Sequence, residues 1–303
     1  MSEFNPDGKV VAVEGFIEAA TKFLDKGHVF AVVTGRPIDQ LVEALTRSGA
    51  SENFINRLEI SGEYGAMSRG PSTNGEIKMR EDLEQYAPTG QKILKAIQQR
   101  INGDNELSSY ANWITVKEKA LGGSIYRKGL DKRLELELKK RFDNQEAIQK
   151  EVNQILDSVD KKLNSLILDA LKEGHSFCSR GKMHETGVNI IIDKEATGIA
   201  VSKRTAVESL VKMHGEVSGA LAFGDGEEDF DMQTGFQALI KDGSSTLNHQ
   251  AFVGVKHDPK GRMRMVPEIE NDSTAVVSDP KQAGKLLLHI ADKVIDISKK
   301  RGT

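Results

Sequence analysis

His28-Val29-Phe30-Ala31-Val32-Val33-Thr34-Gly35-Arg36 is the stretch that decides the fold. A short apolar run of β-branched and aromatic residues stops at a threonine and a glycine. Such runs read as strands buried on both faces, as in parallel sheets. On the N-terminal side, residues 15–27 place Phe16, Ile17, Ala20, Phe23 and Leu24 at helical spacing, with Gly27 as the stop. On the C-terminal side, residues 38–48 again carry helical spacing. Helix, buried strand, loop, helix is the rhythm of an α/β protein. In such sheets ligands sit beyond the carboxyl ends of the strands, where Thr34-Gly35-Arg36 falls.

The same rhythm continues outward. Leu58-Glu59-Ile60-Ser61 reads as a second strand, followed by Gly62-Glu63-Tyr64-Gly65-Ala66. Residues 68–76 are polar and mark a boundary. Residues 113–127 alternate in strand fashion around a Gly-Gly break, which suggests a hairpin. Over 130–173, apolar residues recur at three- and four-residue intervals within a charged sequence, giving one long amphipathic helix or two. Strands are expected at 188–193, 251–256 and 274–277, and helices at 202–214, with Ser202 as N-cap, and 280–298. The resulting expectation is an α/β fold. A Rossmann-like parallel-sheet core spans 1–66 and 186–303, interrupted by an inserted α+β cap domain at 67–185.

Composition excludes several classes. The chain has 303 residues, 38% of them hydrophobic, so it can bury a core and is neither disordered nor collagen-like. Lys+Arg 42 against Asp+Glu 45 gives a net charge of −3, which argues against a general polybasic surface for nucleic acid. No apolar run reaches the roughly 20 residues that cross a bilayer. A single cysteine, Cys178, rules out an intrachain disulfide and fits a reducing, cytoplasmic compartment. The seven histidines are scattered, and His184 and His249 read as isolated structural or surface residues.

Three places carry chemistry. Gly224-Asp225-Gly226-Glu227-Glu228-Asp229-Phe230-Asp231 follows the apolar run Ala220-Leu221-Ala222-Phe223. Asp225 and Asp229, four apart, suit a hard cation such as Mg2+ with a phosphate co-ligand. They equally suit a solvent-exposed acidic turn at a helix N-terminus. Thr34 either caps the next helix or lends its hydroxyl to a phosphate. Lys203 begins a helix, where a cation is disfavoured unless an anion lies beside it.

Taken in order, Thr34, Lys203 and Gly224-Asp225…Asp229 resemble the second, third and fourth motifs of the haloacid dehalogenase-like phosphatases. The insertion resembles their C2-type cap. The resemblance is strongest to sugar-phosphate phosphatases, trehalose-6-phosphate phosphatase in particular. It implies a Mg2+-dependent hydrolase of a phosphosugar monoester. Asp225 and Asp229 would be metal ligands, and Thr34 and Lys203 catalytic groups. Gly35, Arg36, Lys119, Arg127 and Glu185 would contact substrate, the last through Gly181-Lys182-Met183-His184-Glu185. No nucleic acid or membrane partner is implied.

One part of that pattern is missing. The family's first motif, Asp-x-Asp-Gly-Thr, supplies a nucleophilic aspartate and then an acid/base aspartate. The nearest match here is Asn5-Pro6-Asp7-Gly8-Lys9, with Asp7 as acid/base and Asn5 where the nucleophile belongs. An amide cannot form an aspartyl-phosphate. Alternatively these residues form a turn and the motif lies upstream. A non-catalytic phosphosugar-binding or regulatory protein on the same scaffold is therefore the alternative expectation.

Overall fold

The computed structural model describes residues 2–4, 10–181, 183, 187–224, 226–243, 245–255 and 274–297. The chain forms two compact units, residues 1–80 with 201–303 and residues 81–200.

The first unit opens with an antiparallel pair, β1 (Ser2–Phe4) and β2 (Val10–Ala12). There follow α1 (Phe16–Asp25), β3 (Ala31–Val33), α2 (Ile38–Arg47), α3 (Glu52–Arg57), β4 (Glu59–Gly62), β5 (Met67–Arg69) and β6 (Lys78–Met79). The second unit contains α4 (Glu81–Glu84), α5 (Ala87–Gly103), β7 (Ile114–Glu118), β8 (Gly123–Arg127), α6 (Leu130–Leu138), α7 (Gln145–Leu171), β9 (Phe177–Arg180), β10 (Val188–Ile192) and α8 (Lys194–Thr197). The chain then returns to the first unit with α9 (Lys203–His214), β11 (Gly219–Gly224), α10 (Glu227–Asp242), β12 (His249–Val255), β13 (Thr274–Val277) and α11 (Pro280–Lys293).

Two sheets organise the first unit. In one, β3 runs parallel to β4, and β5 and β6 add antiparallel strands. In the other, β11, β12 and β13 are all parallel. Two apolar clusters fill the unit. Phe16, Leu45, Phe54, Leu58 and Ile60 form one with α11, and Phe223 of β11 reaches into it. Val207, Val211, Met232, Phe236 and Phe252 form the other, and Val33 of β3 reaches into that. The expected strand at 28–35 is shorter, and its residues are exposed to half-buried instead of buried on both faces. Among the described residues β3 is paired on one side only, so a strand with an apolar sequence keeps one open edge.

Helix α9 orders this unit. Ser202 Oγ accepts from the Thr205 N–H at 3.2 Å, while Thr205 Oγ1 accepts from the Ser202 N–H at 3.1 Å. This reciprocal cap satisfies two backbone donors and fixes where the helix starts. Close to that start, the missing side chain of Gly65, at φ +94°, lets the turn after β4 approach Ala206; a Cβ there would lie 3.0 Å from the Ala206 methyl. At the other end His214 Nε2 lies 3.3 Å from the buried Glu59, the first residue of β4. Helix α9 therefore runs antiparallel to β4 and delivers its N-terminus to the carboxyl end of the strand.

In the second unit the sheet order is β7-β8-β10-β9, all antiparallel. Helices α5 and α7 contact its strands. The break at 139–144 resolves 130–173 into two helices, with Asn144 capping the second. The expected unit boundaries after 66 and 185 differ from those observed after 80 and 200. Strands β5 and β6 extend the sheet of β4, and β10 is hydrogen-bonded between β8 and β9. No helix among the described residues is long and apolar enough to cross a membrane.

Replacing Ser202 by Ala should cost about 1 kcal/mol of stability, the ordinary value of such a cap. A urea melt of this variant showing no loss would mean that the start of α9 is held by packing alone.

Candidate functional site

The carboxyl ends of β3 and β11 lead into two of the chemistry-bearing segments, and α9 begins with the third, Lys203. After β3, Thr34 Oγ1 accepts from the Arg36 N–H at 3.1 Å, leaving the hydroxyl proton to be donated elsewhere. The turn after β4 locks this loop. Tyr64 N–H donates to the Thr34 carbonyl at 3.0 Å, and Glu63 N–H donates to the Arg36 carbonyl at 3.1 Å. Glu63 and Tyr64 both adopt positive φ, 52° and 61°, to make these bonds. Backbone held in that region by non-glycine residues is strained and must be held by its surroundings. Gly35 is required opposite the tyrosine ring, because a Cβ would lie 2.4 Å from Tyr64 Cζ. Arg36 itself is exposed.

From α9 comes Lys203, the first helical residue. Its ammonium meets the Asp229 carboxylate, and side-chain exposures of 12% and 10% make this a buried ion pair. Asp229 stands in the first turn of α10, and its Oδ2 also accepts from the Gly226 N–H at 2.9 Å. It packs so closely on the end of β11 that a Cβ on Gly224 would lie 2.0 Å from Asp229 Cβ. A second close approach sets Gly235, midway along α10, against the Arg204 carbonyl in the first turn of α9. Each helix N-terminus carries partial positive charge and unpaired N–H groups. The ammonium and the Asp229 carboxylate lie together at the two helix starts and form one polar corner.

Lys203 touches Asp229 directly, and the Thr34 loop is tied through Glu63-Tyr64-Gly65 to Ala206 in the first turn of α9. Three expected site residues, Asp7, Asp225 and Glu185, lie outside the described residues, as does Asn5.

Asp229 Oδ1 meets Lys203 and Oδ2 accepts from a backbone amide, so the carboxylate is held in a fixed orientation at the start of α10. Among the described residues no group of three His, Cys, Asp or Glu side chains assembles a cation site.

In the second unit, Arg127 is also committed. Its Nη2 donates to Asp160 Oδ2 at 2.9 Å, and Nε lies 2.6 Å from Oδ1, off the axis of a hydrogen bond. Both side chains are nearly buried, at 12% and 11% exposure, so Arg127 ties β8 to α7. Lys119 instead donates to Asn189 Oδ1 at 3.2 Å, beside Ser124 Oγ at 2.6 Å from the same oxygen. Sequence reading missed Asp160 and Asn189. Only strand alternation at 188–192 signalled which side chains of β10 share a face. Burial, with a contribution from Asp193, pushes the Cys178 thiol up, against a role as a nucleophilic thiolate.

An α/β core with its polar groups gathered beyond the strand ends belongs to the enzyme architectures that bind small ligands there. The haloacid dehalogenase-like hydrolase family model matches residues 4–252, and the chain belongs to that family. No curated protein matches it. A haloacid dehalogenase-like hydrolase from B. subtilis is similar at 14% identity, covering 96% of each chain, with a TM-score of 0.49. One from Bacteroides thetaiotaomicron is similar at 12% identity, covering 95% of each, also at 0.49. The IMP-nucleotidase of Plasmodium falciparum is similar at 11% identity; the match covers 96% of this chain and 60% of that one, at 0.38.

Lys203→Met should destabilise the protein by about 3–5 kcal/mol, because it leaves the Asp229 charge buried and unpaired. Adding Asp229→Leu should recover much of that loss. Thermal unfolding of the two singles and the double checks this; strictly additive losses would show that the pair does not interact.

Proposed function

We propose that this chain acts on the phosphomonoester of a sugar, as a phosphatase resembling trehalose-6-phosphate phosphatase. The observation that supports it is the buried Lys203–Asp229 pair at two helix N-termini, next to the locked Thr34 loop, in a chain of the haloacid dehalogenase-like hydrolase family. Lys203 would neutralise a phosphoryl oxygen, held in position by Asp229. The Thr34 hydroxyl and the Gly35 N–H would donate to a second oxygen. Fixed donors of this kind act without reorganisation, usually the largest contribution to phosphoryl transfer. The sugar preference rests on the sequence resemblance of the second unit.

The Mg2+ requirement that the resemblance implies would rest with Asp225 and Asp229, two hard oxygen donors of which Asp229 is oriented by Lys203. No step is derived through the cation. A second reading is favoured by Asn5: a chain with an amide at the nucleophile position would hold a phosphosugar without cleaving it. Both readings share the same cradle.

A phosphate-release assay over a panel of sugar phosphates, with and without Mg2+, paired with binding titrations, separates them. Saturable binding is expected in either case. Lys203→Met should weaken it roughly 10- to 100-fold, the value of one charge-assisted contact. Release that depends on Lys203 establishes the hydrolase; binding without release establishes the second reading. Absence of both would refute the proposal.

A further inference from the structure

The turn after β4 holds a tyrosine where folding alone does not ask for one. Glu63 and Tyr64 stand side by side at φ 52° and 61°, both in the left-handed region. Glycine and asparagine adopt that backbone at the least steric cost, and a bulky aromatic residue there is an outlier. Strain of this kind points to a role for the side chain. The Tyr64 N–H donates to the Thr34 carbonyl, but any residue except proline would supply that bond. What is particular to Tyr64 is its ring.

The ring crosses to the Thr34 loop. The atoms nearest to the place of a Cβ on Gly35 are Tyr64 Cζ at 2.4 Å, the phenolic oxygen at 2.7 Å and Cε1 at 2.9 Å. These are the far end of the side chain, so Tyr64 meets Gly35 with the edge that carries the hydroxyl. Both residues are half-buried, so the contact is not sealed inside the core. On either side of the tyrosine the turn is pinned. Gly62 packs on α2, where a Cβ would lie 2.6 Å from Ile38 Cγ1, and Gly65 rests on Ala206 of α9. The hydroxyl is thereby delivered to the glycine by a short and constrained segment.

Resting on the function proposed above, we propose that the Tyr64 hydroxyl is a further hydrogen-bond donor to the phosphoryl group, beside the Gly35 N–H and the Thr34 hydroxyl. A phenol is uncharged at neutral pH and carries one O–H donor, so it serves an oxyanion without adding charge to the site. The same contact accounts for the glycine. Any side chain at position 35 would push the ring away, so Gly35 and Tyr64 act as one unit of the site. The strained turn gives the donor a fixed position, and a donor fixed in advance needs little ordering when the anion arrives.

The test is calorimetric titration of the full chain with inorganic phosphate, with thermal melts alongside. Tyr64→Phe keeps the ring over Gly35 and removes only the hydroxyl. It should melt like the wild type and bind phosphate about tenfold more weakly, the value of one hydrogen bond to a charged group. Phosphate should also shift the near-ultraviolet absorbance of tyrosine in the wild type, and Tyr64→Phe should remove most of that shift. Tyr64→Asn suits the left-handed backbone and lacks the ring, so it should fold at least as well and bind as weakly; it decides the question if Tyr64→Phe melts lower. Phosphate affinity within about twofold of wild type in these variants, while Lys203→Met remains defective, overturns the role of Tyr64 and leaves the proposed function standing. An undiminished absorbance shift in Tyr64→Phe overturns it as well. Failure of the wild type to bind phosphate overturns both.

Discussion

A lysine ammonium in contact with an aspartate, both nearly removed from water, sets the terms for the first unit. Two desolvated charges persist only when each satisfies the other and the remaining polar atoms find partners. Here the carboxylate's second oxygen takes a backbone N–H, and the lysine sits where two helix N-termini would otherwise repel it. The Ser202 cap, the close approach of Gly235 to α9 and the bare Gly224 beneath Asp229 all serve that contact.

The corner is connected to the rest of the unit through backbone more than through side chains. Tyr64 and Glu63 accept unfavourable φ values to hydrogen-bond the loop after β3, and Gly65 lets the same turn rest on α9. A hydroxyl at position 34 is thus held by a rigid frame. Rigid donors suit an oxyanion because little ordering remains to be done when the ligand arrives.

Much of this was legible in the sequence, for reasons that can be traced to particular residues. The apolar run ending at Thr34 and the helical spacing around it specified an α/β unit. Ser202 marked the start of α9 because a side-chain oxygen there satisfies orphan N–H groups. The order of Thr34, Lys203 and Asp229 pointed to one pocket. What escaped was non-local. Nothing in Val188–Ile192 says which sheet it joins, so the strand was assigned to the wrong unit. Arg127 and Asp160 are 33 residues apart, and only the fold brings them together. That Asp229 meets Lys203, 26 residues earlier in the chain, is likewise visible only in the fold. Helix α5 went unread because Ile93, Leu94, Ile97 and Ile101 are set among polar residues behind an Ala-Pro start.

The most direct measurement of the central claim is a double-mutant cycle on inorganic phosphate affinity, with Thr34→Val, Lys203→Met and the two combined. Groups that grip one phosphoryl group should be coupled, by about 0.5–3 kcal/mol, so the combined loss should differ from the sum of the single losses. Single losses that simply add, or a phosphate affinity indifferent to either change, would contradict a shared oxyanion site at the ends of β3 and α9.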